Sequence, residues 1–163
     1  EQVYYDVIRK KTASLIASAC ASGAASTTDD MEVIEKMRVF GETIGMAFQI
    51  RDDLFDFGTD DVGKPLGIDI KEKKMTLPLI YALQQVSARE RKRIIRQIKR
   101  HSEEPDTIRE VVQFVNQSGG LDYARKVMFE YREKAFEILH SFPFSPARES
   151  LEDLVNFVVD REK

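Results

Sequence analysis

The sequence contains few of the residue types on which several common sites depend. Its one cysteine, Cys20, excludes an internal disulfide and a cysteine-based metal cluster. Its two histidines, His101 and His140, have no histidine or cysteine partner at metal-ligand spacing. No apolar run reaches the ~18 residues that a transmembrane helix needs, and the first residues show no signal-peptide pattern. We therefore expect a soluble, cytoplasmic protein without an integral membrane segment.

The chain has no surplus of positive charge. Its 25 lysines and arginines are balanced by 28 aspartates and glutamates, which gives a net charge of -3. Because nucleic-acid-binding domains normally carry a basic surplus, this balance argues against a nucleic-acid partner. With 163 residues the chain is long enough for a hydrophobic core, and we expect residues 1–163 to form a single domain.

The apolar residues follow a helical pattern, and no strand-like alternation of useful length occurs. We predict a helix over about 3–22 that ends at Gly23, and a second over roughly 31–57 with its N-cap among Thr28–Asp30. Further helices are predicted from Thr76 with Pro78 in the first turn, from Ser87 to about 100, from Pro105 to Gly119, over 121–140, and over 146–161. The fold class is therefore all-α, with antiparallel helical hairpins.

An acidic cluster lies near the end of the second predicted helix. Asp52 and Asp56 are four residues apart and share a helical face, Asp53 flanks that face, and Gln49 lies one turn earlier. Three neighbouring carboxylates repel one another, so we expect a cation to compensate them. Mg²⁺ takes carboxylate oxygens and keeps positions for phosphate and water. The cluster predicts a Mg²⁺ site for a phosphate-bearing ligand, and a solvated acidic face is the alternative.

Lysines flank this cluster along the sequence. Residues 58–74 contain three glycines and a proline, which break the helical pattern, and an ordered segment of this length is usually functional. The lysines in question are Lys64, Lys71, Lys73 and Lys74 in this segment, with Lys10 and Lys11 beside Thr12 in the first predicted helix. If they converge on the acidic helix, metal and ammonium groups would neutralise a polyphosphate from two sides. A solvated surface charge is the alternative for each lysine alone.

Other sites do not fit the spacing. Residues 52–61 lack the ligand pattern of an EF-hand, and Gly63-Lys64-Pro65 lacks the hydroxyl residue of a P-loop. A di-iron bundle requires two Glu-x-x-His motifs, and the sequence has only one, from Glu137 to His140. The interpretation that remains is a site for Mg²⁺ and a diphosphate.

Several segments together resemble the trans-isoprenyl diphosphate synthases. Residues 48–57 are similar to the second aspartate-rich region of that family, and residues 63–69 and 72–78 are similar to the segments that follow it. Residues 5–13 resemble the Lys-Thr segment that precedes it. The resemblance is strong over residues 1 to about 83. It is specific to this family because several segments occur in the same order as in its members.

The resemblance implies a helical bundle of the isoprenoid synthase type and an enzyme that joins an allylic diphosphate to isopentenyl diphosphate, making a trans-polyprenyl diphosphate. The implied site residues are Asp52, Asp53 and Asp56 for Mg²⁺, Lys11, Lys64 and Lys74 for the allylic diphosphate, and Thr12 and Gln49 near the reacting carbon. Oxygens of the last two would stabilise developing positive charge.

The sequence departs from the family pattern in two respects. Position 73, often glycine in the family, is Lys73. The family's first aspartate-rich motif is not present, nor are the basic residues near its amino end that hold isopentenyl diphosphate. We therefore expect the carboxyl half of a longer synthase, inactive by itself. Because half a bundle leaves an apolar helix face uncovered, we also expect a homo-oligomer.

Two other functions stay open. One is a non-catalytic helical partner that modulates a full-length synthase. The other is a class I terpene cyclase, which shares the metal chemistry, although the segment around Lys64 is similar to that of the chain-elongating group.

Overall fold

The computed structural model describes residues 1–57 and 67–161. Within those ranges all regular structure is helical, which confirms the predicted all-α class. The chain forms two compact units. We call residues 52–126, with Glu1, the central unit, and residues 2–51 with 127–161 the terminal unit. The single domain over residues 1–163 stays a prediction.

The helices of the described ranges follow one another in chain order. They are α1 (Gln2–Ile8), a π-helical turn (Arg9–Ala13), α2 (Ser14–Ala25), α3 (Met31–Phe55), α4 (Ile68–Lys71), α5 (Leu77–Gln84), α6 (Ala88–His101), α7 (Pro105–Gln117), α8 (Gly120–His140) and α9 (Pro146–Asp160). None of them is long and apolar enough to cross a membrane.

The terminal unit contains a close approach between α3 and the chain that runs from the π-helical turn into α2. A Cβ atom at Gly45 would lie 2.6 Å from the Cα of Ala13, and one at Gly41 would lie 2.8 Å from the Cα of Ala17. Side chains do not tolerate such separations, so both positions require glycine. Small residues four apart on each helix therefore let the two backbones pack directly against each other.

Helix α3 begins where the sequence predicts and ends slightly earlier. The Asp30 carboxylate accepts hydrogen bonds from the backbone amides of Glu32, at 2.9 Å, and Val33, at 3.5 Å, as an N-cap. The α-helix ends at Phe55, two residues before the predicted end. The amides of Asp56 and Phe57 bond to carbonyls three residues back, which tightens the last turn.

The central unit is organised around α7, against which α4, α5 and α6 each pack. Gly67 has a φ of 78°, and a side chain there would collide with Ile108 of α7. Glycine is thus required where the chain enters α4. The buried core of this unit consists of Phe57, Ile70, Leu79, Ala82, Leu83, Ile94, Ile98, Ile108, Val111 and Val115.

Two local predictions were wrong. Gly23 does not end a helix, because α2 continues to Ala25. Residues 58–74 were expected to exclude regular helix, yet α4 forms after Gly67. Helix α5 begins as predicted, with Thr76 as its N-cap residue. The Thr76 side chain forms no capping bond, and its buried hydroxyl has no hydrogen-bond partner in the described ranges. In contrast, the Ser87 hydroxyl does cap α6 by accepting from the Glu90 amide at 3.2 Å.

Candidate functional site

The acidic turn lies at the carboxyl end of α3, in the central unit. Asp52 and Asp53 belong to the last turn of the helix, and Asp56 follows it directly. Asp52 and Asp53 are half-buried, whereas Asp56 is only 6% exposed. A carboxylate buried this deeply needs hydrogen-bond donors.

Backbone amides from the segment after α3 supply such donors. The Asp56 carboxylate accepts from the amide of Asp69 at 3.1 Å, and the Asp56 carbonyl accepts from the amide of Gly67 at 3.1 Å. The Asp53 carboxylate accepts from the amide of Leu77 at 3.4 Å. Two of the three predicted metal-ligand aspartates therefore also fix the segment 67–77 against the end of α3.

Asp69 connects the acidic turn to Lys74. Its amide binds Asp56, while its own carboxylate lies 2.9 Å from the Lys74 ammonium nitrogen. Glu72 is the second partner of Lys74, with 2.5 Å between Nζ and Oε2. Hydrogen bonds to Glu72 and then to Asp69 raise the pKa of Lys74 above its usual range. Lys74 is thus firmly cationic, and it is held in the segment that the acidic turn fixes.

Lys73 has a left-handed backbone conformation. Its φ of 57° is the single positive φ among the non-glycine residues of the described ranges. A left-handed residue carries a steric cost for any side chain with a Cβ atom. In the family that the sequence resembles, this position is often glycine. The left-handed backbone conformation explains that preference, because glycine adopts it without steric cost.

Thr12 and Gln49 are brought together in the terminal unit. The Thr12 hydroxyl donates to the Gln49 side-chain oxygen at 3.0 Å, and Gln49 is buried. Thr12 belongs to the π-helical turn, and its neighbour Ala13 is the residue that Gly45 of α3 contacts. Lys11, in the same turn, is exposed. Short π-helical segments are rare and frequently lie at functional sites.

The remaining predicted site residue, Lys64, lies outside the described residues. The roles assigned from the sequence to the other seven, Lys11, Thr12, Gln49, Asp52, Asp53, Asp56 and Lys74, stay predictions. Sequence reasoning gave no role to Asp69, Glu72 or Gly45. Asp69 and Glu72 both precede Lys74 closely in a segment where carboxylates alternate with lysines, and that alternation is a signal for internal pairing.

The acidic turn fits Mg²⁺ by donor type. In the part of the chain that the structure describes, no three histidine, cysteine or acidic side chains are grouped as metal ligands. Mg²⁺ is commonly bound by one or two carboxylates, with substrate phosphates and water as its other ligands. Carboxylates on one helix turn therefore suit an ion that a phosphate-bearing substrate helps to hold.

Comparison with known proteins identifies the family. The family model described as polyprenyl synthetase matches residues 1–115, well over half of the chain. This chain belongs to the polyprenyl synthetase family. The short chain isoprenyl diphosphate synthase of Methanothermobacter thermautotrophicus is 37% identical over 99% of this chain and 50% of its own. The all-trans-nonaprenyl-diphosphate synthase (geranyl-diphosphate specific) of Rhodobacter capsulatus is 36% identical over 99% of this chain and 49% of its own.

Solved structures of polyprenyl synthetases share the fold. A geranylgeranyl pyrophosphate synthase from Bacteroides thetaiotaomicron superposes with a TM-score of 0.88 at 37% identity, covering 99% of this chain and 52% of that one. A decaprenyl diphosphate synthase from Rhodobacter capsulatus superposes with a TM-score of 0.90 at 30% identity, covering 99% of this chain and 51% of that one. The chain therefore spans about half the length of the polyprenyl synthetases that it matches.

Proposed function

We propose that this chain acts in a prenyltransferase that condenses an allylic diphosphate with isopentenyl diphosphate. In that reaction the bond between the allylic carbon and the diphosphate oxygen breaks, a carbon–carbon bond forms with the alkene, and a proton leaves. The product is a trans-polyprenyl diphosphate. Membership of the polyprenyl synthetase family supports the reaction class.

The observation that carries the proposal is the double role of Asp69. Its amide binds the Asp56 carboxylate and its carboxylate binds Lys74, so one residue holds a fixed cation next to the acidic turn. A ligand that takes both a carboxylate-bound divalent cation and an ammonium group must be strongly anionic and rich in oxygen. A diphosphate satisfies both requirements.

We assign Asp52, Asp53 and Asp56 to Mg²⁺, which would supply a Lewis acid for the diphosphate oxygens. The half-buried Asp52 and Asp53 are the more accessible of the three, whereas Asp56 mainly orders the segment that carries Lys74. Lys74 and Lys64 would bind the diphosphate as ammonium donors. No protein nucleophile is needed, because the alkene attacks the allylic carbon.

We assign the terminal-unit residues by the family resemblance. Lys11 would bind the allylic diphosphate, and its exposure in the π-helical turn leaves its ammonium group accessible. The Thr12–Gln49 pair would present oxygen dipoles that stabilise developing positive charge on the allylic carbon. Their mutual hydrogen bond fixes both oxygens before substrate binds. Preorganised dipoles of this kind contribute to catalysis because they need no reorientation during the reaction.

We also propose a cytoplasmic homo-oligomer that binds an allylic diphosphate without condensing it when this chain is alone. The first aspartate-rich motif of the family is not in its sequence. Several apolar side chains of the terminal unit are exposed, and they support association. The most exposed of these are Val3, Val7, Leu15, Met31, Phe144 and Phe157.

Titration calorimetry with farnesyl diphosphate, an allylic diphosphate, tests the binding role. We expect binding that requires Mg²⁺ and that falls about 10-fold or more in Asp52→Asn and in Lys74→Gln, because each loses a charge-assisted contact worth about 1.5–3 kcal/mol. Asp122→Asn and Lys126→Gln are matched controls, since both side chains are exposed in α8. They should bind as the unaltered chain does.

Binding that is equally strong without Mg²⁺, or unchanged in Asp52→Asn, would contradict the proposal. Condensation of farnesyl diphosphate with isopentenyl diphosphate by this chain alone would contradict the claim that it binds without turnover. Sedimentation velocity tests association, and a monomer at micromolar concentration would overturn it.

A further inference from the structure

Helix α6 concentrates positive charge in a chain that is acidic overall. Its 14 residues hold seven of the chain's 25 lysines and arginines and only one acidic residue, Glu90. The helix therefore carries a charge of +6, and the rest of the chain, whose total is -3, carries -9. Ordinary exposed helices intersperse both signs of charge. The one-sided composition of α6 needs a specific explanation.

Two of the seven cations anchor the helix. The Arg91 guanidinium donates to the backbone carbonyl of Leu83, at the end of α5, at 2.8 Å. Arg93 pairs with Glu90 and, across to α7, with Glu110 at 2.6 Å. Hydrogen bonds from Arg93 and then Gln97 lower the pKa of Glu110, so this pair persists at neutral pH.

The apolar side of α6 is fully occupied. Ile94 and Ile98 are buried in the core of the central unit, in which α6 packs on α7. These contacts and the two anchoring arginines fix the rotation of the helix about its axis. The side opposite the two isoleucines must therefore face solvent.

The other five cations form a stripe on that opposite side. We define the basic stripe as Arg89, Lys92, Arg96, Lys99 and Arg100, all of them exposed. At 3.6 residues per turn they fall within about 100° of the helix circumference and extend over ~17 Å. None forms an ion pair with any residue of 1–57 or 67–161. Glu90, next to Arg89, is the single acidic residue of the helix, so self-repulsion among the five groups is only slightly compensated within it.

We propose that the basic stripe is a docking surface for a membrane rich in anionic phospholipid. Charge complementarity selects an anionic occupant, and a straight row of cations on one convex helix suits a flat surface. Lysine and arginine near such a surface each contribute favourably, independent of precise geometry. The apolar side of α6 is buried, so the contact is electrostatic and no part of the helix inserts.

The features of α6 favour a lipid surface over a nucleic acid. The helix contains no phenylalanine, tyrosine or tryptophan on which bases could stack. Its sides are held by α5 and α7 contacts, so it is not a free helix that enters a groove.

Co-sedimentation of the 163-residue chain with vesicles tests the proposal. We expect binding to vesicles of phosphatidylglycerol and phosphatidylcholine in equal parts, and none to phosphatidylcholine alone. The triple variant Lys92→Gln, Arg96→Gln, Lys99→Gln should bind about 100-fold more weakly, since each cation near an anionic surface is worth about fivefold. Raising the ionic strength to about 0.5 M should also release the unaltered chain.

Two control variants separate surface charge from other effects. Arg109→Gln, Arg125→Gln, Lys126→Gln makes the same change in net charge at exposed positions of α7 and α8, and should bind vesicles normally. Arg89→Lys, Arg96→Lys, Arg100→Lys keeps the charge and removes the guanidinium geometry. It should also bind normally, because a lipid surface responds to charge, whereas bidentate recognition requires arginine.

Four outcomes would overturn the proposal. These are equal binding to neutral vesicles, equal loss in both triple glutamine variants, loss in the lysine variant, and tighter stripe-dependent binding to a 30-base-pair DNA duplex than to anionic vesicles. Circular dichroism confirms that each variant is folded. Vesicle binding is measured without diphosphate ligands, so its outcome is independent of the proposed prenyl transfer.

Discussion

The two groups of predicted site residues, one in each unit, are held in different ways. In the terminal unit, Thr12 and Gln49 meet because Gly45 lets two helix backbones pack directly against each other. In the central unit, Asp53 and Asp56 hold the segment 67–77 by accepting hydrogen bonds from its backbone amides. Packing fixes the first pair, and charged hydrogen bonds fix the second.

This difference between packing and charged hydrogen bonds determines which substitutions each group of residues tolerates. A packed crossing is sensitive to volume, because an added carbon atom has no space, and it is indifferent to charge. A carboxylate that anchors backbone amides is sensitive to the loss of the acceptor, because the amides are then left without a partner. Four experiments test these behaviours.

The largest expected effect is on the packed crossing. Gly45→Val places side-chain carbons where the Cα of Ala13 lies, at 2.6 Å from the new Cβ, and should lower the free energy of unfolding by about 3 kcal/mol in urea titrations. Gly23→Ala is the matched control, since a Cβ there meets nothing within 4 Å. It should stabilise α2 by about 0.5–1 kcal/mol. Equal effects of both would show that the crossing is not tightly packed.

The next effect is on the carboxylate anchor. Asp56→Ala removes the acceptor for the Asp69 amide and should lower the free energy of unfolding by about 2 kcal/mol. Hydrogen exchange at the Asp69 amide should accelerate more than exchange within α7. Asp122→Ala removes only an exposed pair with Arg125, so it should lower the free energy of unfolding by less than about 1 kcal/mol and leave exchange at the Asp69 amide unchanged. Unchanged protection of Asp69 would contradict the anchoring role.

A gain in stability is expected at Lys73. Lys73→Gly relieves the cost of a side chain at a φ of 57° and should raise the free energy of unfolding by about 1 kcal/mol. The same change at Lys71, inside α4, should lower it. Thermal unfolding of the two variants provides the comparison. A loss of stability in Lys73→Gly would mean that the lysine side chain itself stabilises this turn.

The smallest effect concerns the Thr12–Gln49 hydrogen bond. A double-mutant cycle of Thr12→Val and Gln49→Leu should give a coupling of about 0.5–1 kcal/mol, the net value of one neutral hydrogen bond. Urea denaturation of the four proteins measures it. A coupling near zero would mean that the two side chains lie next to each other without stabilising the fold through their hydrogen bond.

The sequence predicted the helical class and most helix positions because caps and apolar periodicity are local. Asp30 and Ser87 are caps in the structure, and Pro105 and Pro146 begin their helices as expected. The end of the first helix could not be predicted from Gly23. An exposed glycine costs a helix only about 1 kcal/mol, and favourable neighbours outweigh that.

Prediction of the site was limited by contacts between distant residues. The cluster of Asp52, Asp53 and Asp56 is visible as a pattern because its members share one stretch of chain. The link from Asp56 through Asp69 to Lys74 depends on how the chain returns after Gly67, which local spacing does not determine. The close approach of Gly45 to Ala13 joins residues 32 positions apart and carries no local signal.

The π-helical turn sets the rotational phase of the chain that follows it. The buried positions Tyr4, Ile8, Ala13 and Ala17 are separated by steps of four, five and four residues. The step of five falls across the turn, which therefore acts as a one-residue insertion in the helical repeat. Deleting a single residue there would rotate all of α2 by about 100°. Ala17 would no longer meet Gly41, so the length of the segment around Lys11 and Thr12 is as constrained as its composition.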